Sequence, residues 1–323
     1  MKSARRLVVS PPVRTVPIVA AGASHGRLKA GAALVSVLAC MLLGGCVLSL
    51  SGTRVSEERS LIATWVEGET YDIVTRNGDV TVIYNPDRED VLIDAVVQAG
   101  GSSEEEARTR LSAMQIIANH DSTSRTLQIY LEYPDDKPVV NDGADFRIET
   151  PGARGISIKT SNGQVAVQGL TGEATLTSSN GTITVIDHDG PVVARSSNGA
   201  IDIRNARDKV DAATSNGRIA LTTVPSFRTP FTLDTSNGRI NIALPSTWVG
   251  VIDADTSNGG INVGPLVSTT GGSIGITGDH RKRTIRVNES LAEGNIVTSV
   301  ADTSNGTITI DFVDASQPGA SGG

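Results

Sequence analysis

The chain has 323 residues, of which only 3% are aromatic and 34 are glycine. This composition suits a thin, turn-rich β structure better than a thick globular core. The formal net charge is −7, and it becomes −13 once the first 45 residues, with six basic residues and no acidic one, are set aside. Because the rest of the chain is this acidic, it should repel nucleic acid and anionic lipid headgroups, and neither is expected as a direct partner.

Residues 1–45 are predicted to be a leader. Two basic residues, Arg27 and Lys29, precede an apolar run over 30–43 that is too short to span a bilayer comfortably. The run ends in Leu43-Gly44-Gly45-Cys46, and a basic flank, a short apolar stretch and small residues before a cleavage site predict a secretory signal. Leu-Gly-Gly-Cys also resembles the bacterial lipoprotein box, which implies a lipid on Cys46. The alternatives are a plain signal peptide and a membrane anchor with an incidental cysteine.

Cysteine usage agrees with export. Cys40 would leave with the leader, so the mature chain would keep Cys46 alone and could form no internal disulfide. Its stability must then come from packing. The polar segment 46–64 lacks a clear period and is predicted to be a tether that holds the folded domain, residues 65–313, away from the membrane.

The folded domain opens with one copy of a repeat, centred on Arg76-Asn77-Gly78. Apolar residues stand before and after it at the offsets that recur downstream, namely Tyr71, Ile73, Val80 and Val82. Residues 84–146 then interrupt the repeat.

The interruption is predicted to contain one helix. Ser102 or Ser103 can cap a helix near 103–118, and three glutamates in its first turn suit the positive end of the helix dipole. Strands are predicted over 91–98, 126–133 and 145–149. We expect the helix to cap the open end of the repeat stack, which would otherwise expose strand edges and core.

The tripeptide Ser-Asn-Gly then recurs seven times. The steps between successive serines are 18, 18, 18, 21, 21 and 47 residues, and such short, regular steps mean that one supersecondary unit is copied and stacked. Including the copy at 77, the corner asparagines are Asn77, Asn162, Asn180, Asn198, Asn216, Asn237, Asn258 and Asn305. The second and fourth residues after each glycine are Val, Ile or Leu with a small or polar residue between them, which is the pattern of a half-buried strand.

Two architectures can use this unit. In a parallel β-solenoid each copy is one coil, equivalent positions stack about 4.8 Å apart, and the asparagines form a ladder at one corner. Alternatively, Asn-Gly closes a type I′ hairpin in a meander. The identity of whole columns, polar Ser and Asn included, favours the solenoid, because like residues stack on like. The two 21-residue steps carry their extra length near 225–230 and 245–250, as loops growing from one corner.

Past the sixth copy, residues 264–300 are irregular, with turns at their glycines and a strand over 284–287. The tail, residues 314–323, is predicted to be disordered.

Several of these features together resemble a known family. The leader, the early Arg-Asn-Gly-Asp-Val-Thr-Val stretch, the Ser-Glu-Glu-Glu-Ala helix and the repeated Thr-Ser-Asn-Gly-x-Ile-x-Val are similar to a bacterial family of putative adhesins of unknown function. The resemblance covers roughly residues 65–313. It implies an all-β, right-handed β-helix-like solenoid at the cell envelope, with 18–21 residues per coil and one inserted helix, and it brings no catalytic residues.

A separate search for chemistry finds little. Asp234 and Asp255 precede their serines by two positions, so they would be outward neighbours on adjacent coils and could bind calcium or attack a polysaccharide. A solvated acidic face is the simpler interpretation, because no further ligands flank them. The group Asp187-His188-Asp189 looks metal-like but stands in a turn, where Asp bonds to the backbone. The remaining histidines look isolated, and no nucleophile elbow or nucleotide-binding glycine loop is present.

The sequence therefore predicts a non-enzymatic, lipid-anchored protein that faces outside the cytoplasm, without cofactor or metal. Its expected role is adhesin-like or scaffolding, through contact with a glycan or a protein and not with nucleic acid. A polysaccharide-active β-helix enzyme using Asp234 and Asp255 is the first alternative. An accessory or sensor protein of an envelope stress system is the second.

Overall fold

A computed structural model describes residues 53–134, 138–267, 272–292 and 296–314. Their strands, numbered in chain order, form two long sheets. Sheet A contains β1 (Thr53–Thr64), β3 (Val80–Tyr84), β4 (Asp90–Gly101), β7 (Gly143–Thr150), β9 (Val165–Gln168), β11 (Ile183–Ile186), β13 (Ile201–Ala206), β15 (Ile219–Thr223), β17 (Ile240–Pro245), β19 (Ile261–Val263) and β23 (Ile308–Val313). Sheet B contains β2 (Thr70–Val74), β5 (Gln115–Asp121), β6 (Thr126–Glu132), β8 (Gly155–Thr160), β10 (Glu173–Ser178), β12 (Val192–Ser196), β14 (Val210–Thr214), β16 (Phe231–Thr235), β18 (Gly250–Thr256), β20 (Ile274–Gly278), β21 (Lys282–Val287) and β22 (Thr298–Thr303). The prediction of a nearly all-β chain is confirmed.

Each Ser-Asn-Gly corner joins a strand of sheet B to a strand of sheet A. The two strands flanking one corner do not pair with each other: β8 pairs in parallel with β2 and β10, and β9 pairs in parallel with β3 and β11. Equivalent residues stand opposite one another, so Ile183 lies between Val165 and Ile201. We call each set of sheet B strand, corner and sheet A strand a rung. Parallel pairing between rungs excludes the hairpin alternative at these corners.

The order of rungs in space differs from their order in the sequence. Strand β22 lies between β16 and β18 in sheet B, and β23 lies between β17 and β19 in sheet A. The last rung, with Asn305 at its corner, is therefore inserted between the rungs of Asn237 and Asn258. Before it returns, the chain adds the antiparallel hairpin β20–β21 beyond β18.

The interruption at 84–146 contributes a further rung of its own. Strand β6 stacks in parallel on β2, and β7 stacks in parallel on β3, so the alternating apolar residues of these strands continue the columns of the repeat without a Ser-Asn-Gly corner. Strand β4 then extends sheet A antiparallel to β7, and β5 extends sheet B antiparallel to β6.

Two predicted boundaries in this region are wrong. The expected tether over 46–64 includes β1, a twelve-residue strand that pairs along its whole length with β4. The helix α1 runs over Glu104–Ala113 and does not reach residue 118, because the β-branched pair Ile116-Ile117 belongs to strand β5.

Helix α1 packs against β1 and β4, the outermost strands of sheet A at this end. Ser103 is its N-cap, and the Ser103 hydroxyl accepts a hydrogen bond from the Glu106 N–H at 3.2 Å. At the other end, the Arg59 guanidinium from β1 donates to the carbonyl oxygens of Leu111 and Met114 at 2.7 and 2.6 Å. These bonds tie both helix termini, whose backbone groups have no partner inside the helix.

One continuous core lies along the stack, built from the alternate side chains of both sheets. Two aromatic residues from the loops of the 21-residue steps, Phe227 and Trp248, are fully buried in it. The Trp248 ring packs against Phe231 with centroids 6.3 Å apart. These loops therefore thicken the core and do not build an open cleft.

Several expectations lie outside the described residues: the leader 1–45, lipidation at Cys46, and the tail beyond residue 314. Within the described part of the chain, no helix has the length and apolar character needed to cross a bilayer.

Candidate functional site: the corner ladder and the outer face of sheet A

The corner asparagines form one hydrogen-bonded ladder along the stack. Each Nδ2 donates to the Oδ1 of the asparagine on the preceding rung at 2.6 to 2.8 Å, in the spatial order 77, 162, 180, 198, 216, 237, 305, 258. At the first end, Asn77 Nδ2 donates instead to the carbonyl oxygens of Val140 and Asp142. The ladder gives the chain a straight row of amides at the border of sheet A.

The glycine beside each asparagine is required by space. A Cβ built on Gly199 would lie 1.8 Å from the Gly181 carbonyl oxygen of the neighbouring rung, and the other stacked corners are equally tight. None of these corner asparagines or glycines has a positive φ, so glycine is not needed here for a left-handed backbone. Ser-Asn-Gly recurs because glycine lets the rungs approach and asparagine bonds along the stack.

A second, buried ladder lies just inside the first. The residue immediately before each corner Ser is Thr or Ser, and its hydroxyl donates to the corner glycine carbonyl of the neighbouring rung, as Thr214 does to Gly199 at 3.0 Å and Thr235 to Gly217 at 2.9 Å. A buried hydroxyl without such a partner would destabilise the fold. This column is therefore structural.

Two concavities lie on the outer face of sheet A, both beside the asparagine ladder. The larger, about 470 Å³, is lined by Asn237, Gly238, Arg239, Asn241, Asn305, Gly306, Thr307 and Thr309. Every side chain in this set is polar and can donate or accept hydrogen bonds. The concavity is thus equipped for a ligand rich in hydroxyl or other polar groups.

The smaller concavity, about 320 Å³, lies at the other end of the ladder and includes Arg54, Asp79, Gln98, Asn141 and Asp145. Gln98 is only 8% exposed and donates through Nε2 to Asp145 Oδ2 at 2.9 Å, while its Oε1 has no partner among the described residues. Asp145 Oδ1 and Asp79 Oδ1 accept backbone N–H groups from the neighbouring rungs. The site therefore presents a buried free acceptor beside two carboxylates that are already anchored.

The acidic residues singled out from the sequence lie on the opposite sheet and are not neighbours. Asp302 stands between Asp234 and Asp255 on the outer face of sheet B, because the last rung is inserted there. We call these three residues the acidic row. Burial raises the pKa of Asp302, and the carboxylates of Asp255 and Asp234 raise it further. At one end of the acidic row, Lys282 Nζ donates a hydrogen bond to Asp255 Oδ2 at 3.0 Å and forms an ion pair with it.

The Asp187-His188-Asp189 group does not converge on one point. His188 is buried, with Nε2 2.7 Å from the Gly172 carbonyl oxygen, and burial lowers its pKa. The Asp187 side chain accepts a hydrogen bond from the Asn205 side chain of the next rung at 2.8 Å, and not from the backbone as expected. In the described ranges, no three His, Cys, Asp or Glu side chains are placed to hold a metal ion. His120 is not isolated, since its Nδ1 lies 2.9 Å from Glu69 Oε2.

Sequence reasoning missed three features of these surfaces: Asp302 as the middle of the acidic row, Gln98 as a buried free acceptor, and Arg239 as part of a concavity. The signal for Asp302 was present, because it precedes its serine by the same two positions as Asp234 and Asp255. The positions of Gln98 and Arg239 in concavities left no signal in the sequence.

Comparison with known proteins finds similarity in structure only. No protein-family model and no curated protein matches the chain. Among solved structures, a putative adhesin from Bacteroides fragilis is similar with a TM-score of 0.42 and 14% identity, over 80% of this chain and 97% of the other. A putative cell adhesion protein from Clostridium sporogenes is similar with a TM-score of 0.34 and 10% identity, over 80% of this chain and all of the other. At these identities and TM-scores, the function must be argued from the surface of this chain itself.

Proposed function

We propose that this chain is a non-catalytic cell-envelope protein with an adhesin-like or scaffolding role, and that its ligand lies along the outer face of sheet A. The observation that carries the proposal is the position of the two concavities. Both lie on this face, both border the asparagine ladder, and polar side chains line most of each.

The repeat geometry suits an extended ligand better than a small metabolite. Rungs stack at the strand spacing of about 4.8 Å, so equivalent side chains recur at short, even intervals along the ladder. Amide, hydroxyl and guanidinium groups in the larger concavity can bond to the hydroxyl groups of a glycan chain. We infer that the rungs are the coils of a β-solenoid and that the ligand is a polysaccharide lying along them.

The proposed location at the envelope is based on the predicted leader. A signal over residues 1–45 and a lipid on Cys46 would anchor the domain to a membrane outside the cytoplasm. Replacement of Cys46 by serine should move the protein from the membrane fraction to the soluble fraction and abolish incorporation of labelled fatty acid. Labelling that persists in Cys46→Ser would contradict the anchor.

The test of function is glycan-array binding by the purified full chain and by two single-tryptophan variants. Thr309→Trp places an indole in the larger concavity and should weaken binding of any glycan that the wild type retains. Thr175→Trp makes the same change at an exposed position on the outer face of sheet B and should leave binding intact. Loss of binding in Thr175→Trp alone would show that the wrong face has been chosen, and absence of any glycan bound by the wild type would contradict the proposal.

A glycan-cleaving activity is the second candidate, and the acidic row favours it. Adjacent strands lie about 4.8 Å apart, close to the separation of about 5 Å between the carboxylates of a retaining glycosidase, and one of the three residues has a raised pKa. The acidic row lines neither of the two concavities, and one of its residues, Asp255, forms an ion pair with Lys282. Cleavage of envelope polysaccharides that the double variant Asp234→Ala/Asp255→Ala loses would establish the enzyme. No cleavage by the wild type would reject it.

An accessory or sensor role would require a stable protein partner. Crosslinking in intact cells followed by a pull-down of the full chain separates the two cases. Recovery of glycan alone counts against the sensor role, and recovery of one stoichiometric protein counts against the glycan-binding proposal.

A further inference from the structure

Two arginines stand side by side on the outer face of sheet A. Arg218 and Arg239 each follow a corner glycine, and they occupy adjacent rungs, since the Ile219 N–H donates to the Arg239 carbonyl oxygen at 2.9 Å and Ile219 stands opposite Ile240. Both side chains alternate outward from buried isoleucines and are exposed. The two guanidinium groups therefore project from the same face, one strand spacing apart.

Neither guanidinium has a partner among the described residues. Two other arginines on strands of sheet A have carboxylate partners: Arg147 pairs with Glu149 at 3.0 Å, and Arg204 pairs with Asp202 at 2.6 Å. Two like charges on adjacent strands repel, by about 1 kcal/mol at 4 Å even in water. Such a pair does not stabilise the free protein, and both of its charges remain available to an anionic ligand.

The concavity beside Arg239 is neutral and rich in hydrogen-bonding groups. Arg239 lines the larger concavity together with Asn241, Thr307 and Thr309, and no carboxylate or aromatic ring lines it. A guanidinium binds carboxylate or sulfate through two parallel N–H···O bonds, while amides and hydroxyls suit the neighbouring sugar hydroxyls. The lack of an aromatic platform and the presence of only two cations argue against a nucleic acid strand.

The acidic row lies on the opposite sheet and shares one rung, that of Asn237, with the arginine pair. The rungs of Asn237, Asn305 and Asn258 carry the acidic row on the outer face of sheet B. The two faces lie on opposite sides of a core about 10 Å thick, and the Debye length is about 8 Å at physiological ionic strength. The carboxylates therefore weaken the attraction at the arginines only slightly, and they keep an anionic ligand off the other face.

We propose that Arg218 and Arg239 form a subsite for the acidic group of an anionic glycan, a carboxylate or a sulfate, with Asn241, Thr307 and Thr309 contacting the sugar. This inference rests on the proposed glycan-binding function and names the class of glycan. The subsite takes one acidic group between two guanidiniums, so affinity falls with salt and depends on both arginines.

The test measures binding of three polysaccharides and one oligonucleotide to the immobilised full chain by biolayer interferometry, at low and physiological salt. The probes are polygalacturonate, heparin, neutral dextran and single-stranded DNA. The variant is Arg218→Ala/Arg239→Ala. The matched control, Lys159→Ala/Arg281→Ala, removes the same charge from exposed positions on β8 of sheet B and on the loop before β21.

We expect one or both acidic polysaccharides to bind more tightly than dextran, to weaken at physiological salt, and to lose affinity by about tenfold or more in the arginine variant. The control should stay within about twofold, because a distant charge is screened. Binding of polygalacturonate, whose acidic groups are all carboxylates, shows that the subsite accepts a carboxylate; binding of heparin without polygalacturonate indicates sulfate, because heparin carries both groups. Arg218→Lys/Arg239→Lys, which keeps the charge but not the two-pronged geometry, should bind with intermediate affinity.

Four results overturn the subsite. They are no binding of either acidic polysaccharide, equal loss in the control, no loss in the arginine variant, and binding of DNA as tight as that of the polysaccharides with the same loss. Suppose that dextran binds, that Thr309→Trp abolishes its binding and that the arginine variant leaves its binding unchanged. The proposed function then stands and only the subsite fails. If neither Thr309→Trp nor the arginine variant changes the binding of any glycan, the proposed function fails with it.

Discussion

Substitution of a corner glycine should be among the most damaging single changes in the stack. In Gly199→Ala the new Cβ would lie 1.8 Å from the Gly181 carbonyl oxygen, whereas real Cβ contacts are not closer than 3.0 Å. The rungs must therefore separate at this corner by about 1.2 Å, which overpacked sites do only at a cost in free energy of unfolding. A shift of this size would lengthen the local hydrogen bonds to about 4 Å, beyond the range of a hydrogen bond.

The three hydrogen bonds shorter than 3.0 Å that join these rungs at the corner would be lost. The Asn198 N–H donates to the Ser179 carbonyl oxygen at 2.9 Å, Asn198 Nδ2 donates to Asn180 Oδ1 at 2.8 Å, and the Ile183 N–H donates to the Ala200 carbonyl oxygen at 2.9 Å. At about 0.5–1.5 kcal/mol each, the expected loss of stability is about 3 kcal/mol. For a domain of this size, that corresponds to a fall in Tm of about 6–12 °C.

Thermal and urea unfolding followed by far-UV circular dichroism measures this loss. The matched control is Gly260→Ala, one residue past a corner, where a Cβ would meet nothing within 4 Å. It should change stability by less than about 0.5 kcal/mol. Hydrogen exchange should localise the damage in Gly199→Ala to the rungs on either side of residue 199. If the two variants unfold alike, or if Gly199→Ala loses less than about 1 kcal/mol, close packing is not why glycine recurs.

Three further changes test the ladder, the acidic row and the helix cap. Asn198→Ala removes two ladder hydrogen bonds and should lower the free energy of unfolding in urea by about 1–2 kcal/mol. Asn241→Ala, which is exposed and outside the ladder, should lower it by less than about 0.5 kcal/mol. Equal losses in the two variants would show that the ladder does not stabilise the fold. The pKa of Asp302 is raised in the folded state, so its contribution to stability is present below its unfolded pKa and disappears as the pH rises through the folded value. Asp302→Asn should therefore stabilise the protein at pH 7, by up to about 1 kcal/mol at low salt, and the gain should vanish near pH 3; a gain independent of pH would exclude charge repulsion as its cause. Ser103→Ala removes the N-cap and should lower stability by about 1 kcal/mol. Ser112→Ala, near the helix C-terminus, removes a hydroxyl that donates to the Thr109 carbonyl oxygen and should have a smaller effect. A reversed ranking would place the helix start elsewhere.

Local patterns in the sequence were enough to predict the rung. Alternating β-branched residues on both sides of Ser-Asn-Gly specify a strand, a corner and a strand, because the period-two pattern leaves one face apolar. The N-cap at Ser103 was equally local, since a serine before three glutamates is a helix start in most contexts. The strand at 53–64 escaped prediction because its partner, β4, is about forty residues away.

The sequence by itself determined what each rung is, and the tertiary structure alone decided which rung lies next to which. All the corners present the same glycine, asparagine and apolar columns, so any rung can stack on any other, and nothing local tells Asn305 to stand between Asn237 and Asn258. The surfaces follow from that order. Asp302 joins the acidic row, and Thr307 and Thr309 come to lie beside Arg239, only because the last rung is inserted where it is. Stacking contacts decide such an arrangement, because they depend on the fit between whole rungs and not on any one segment of the chain.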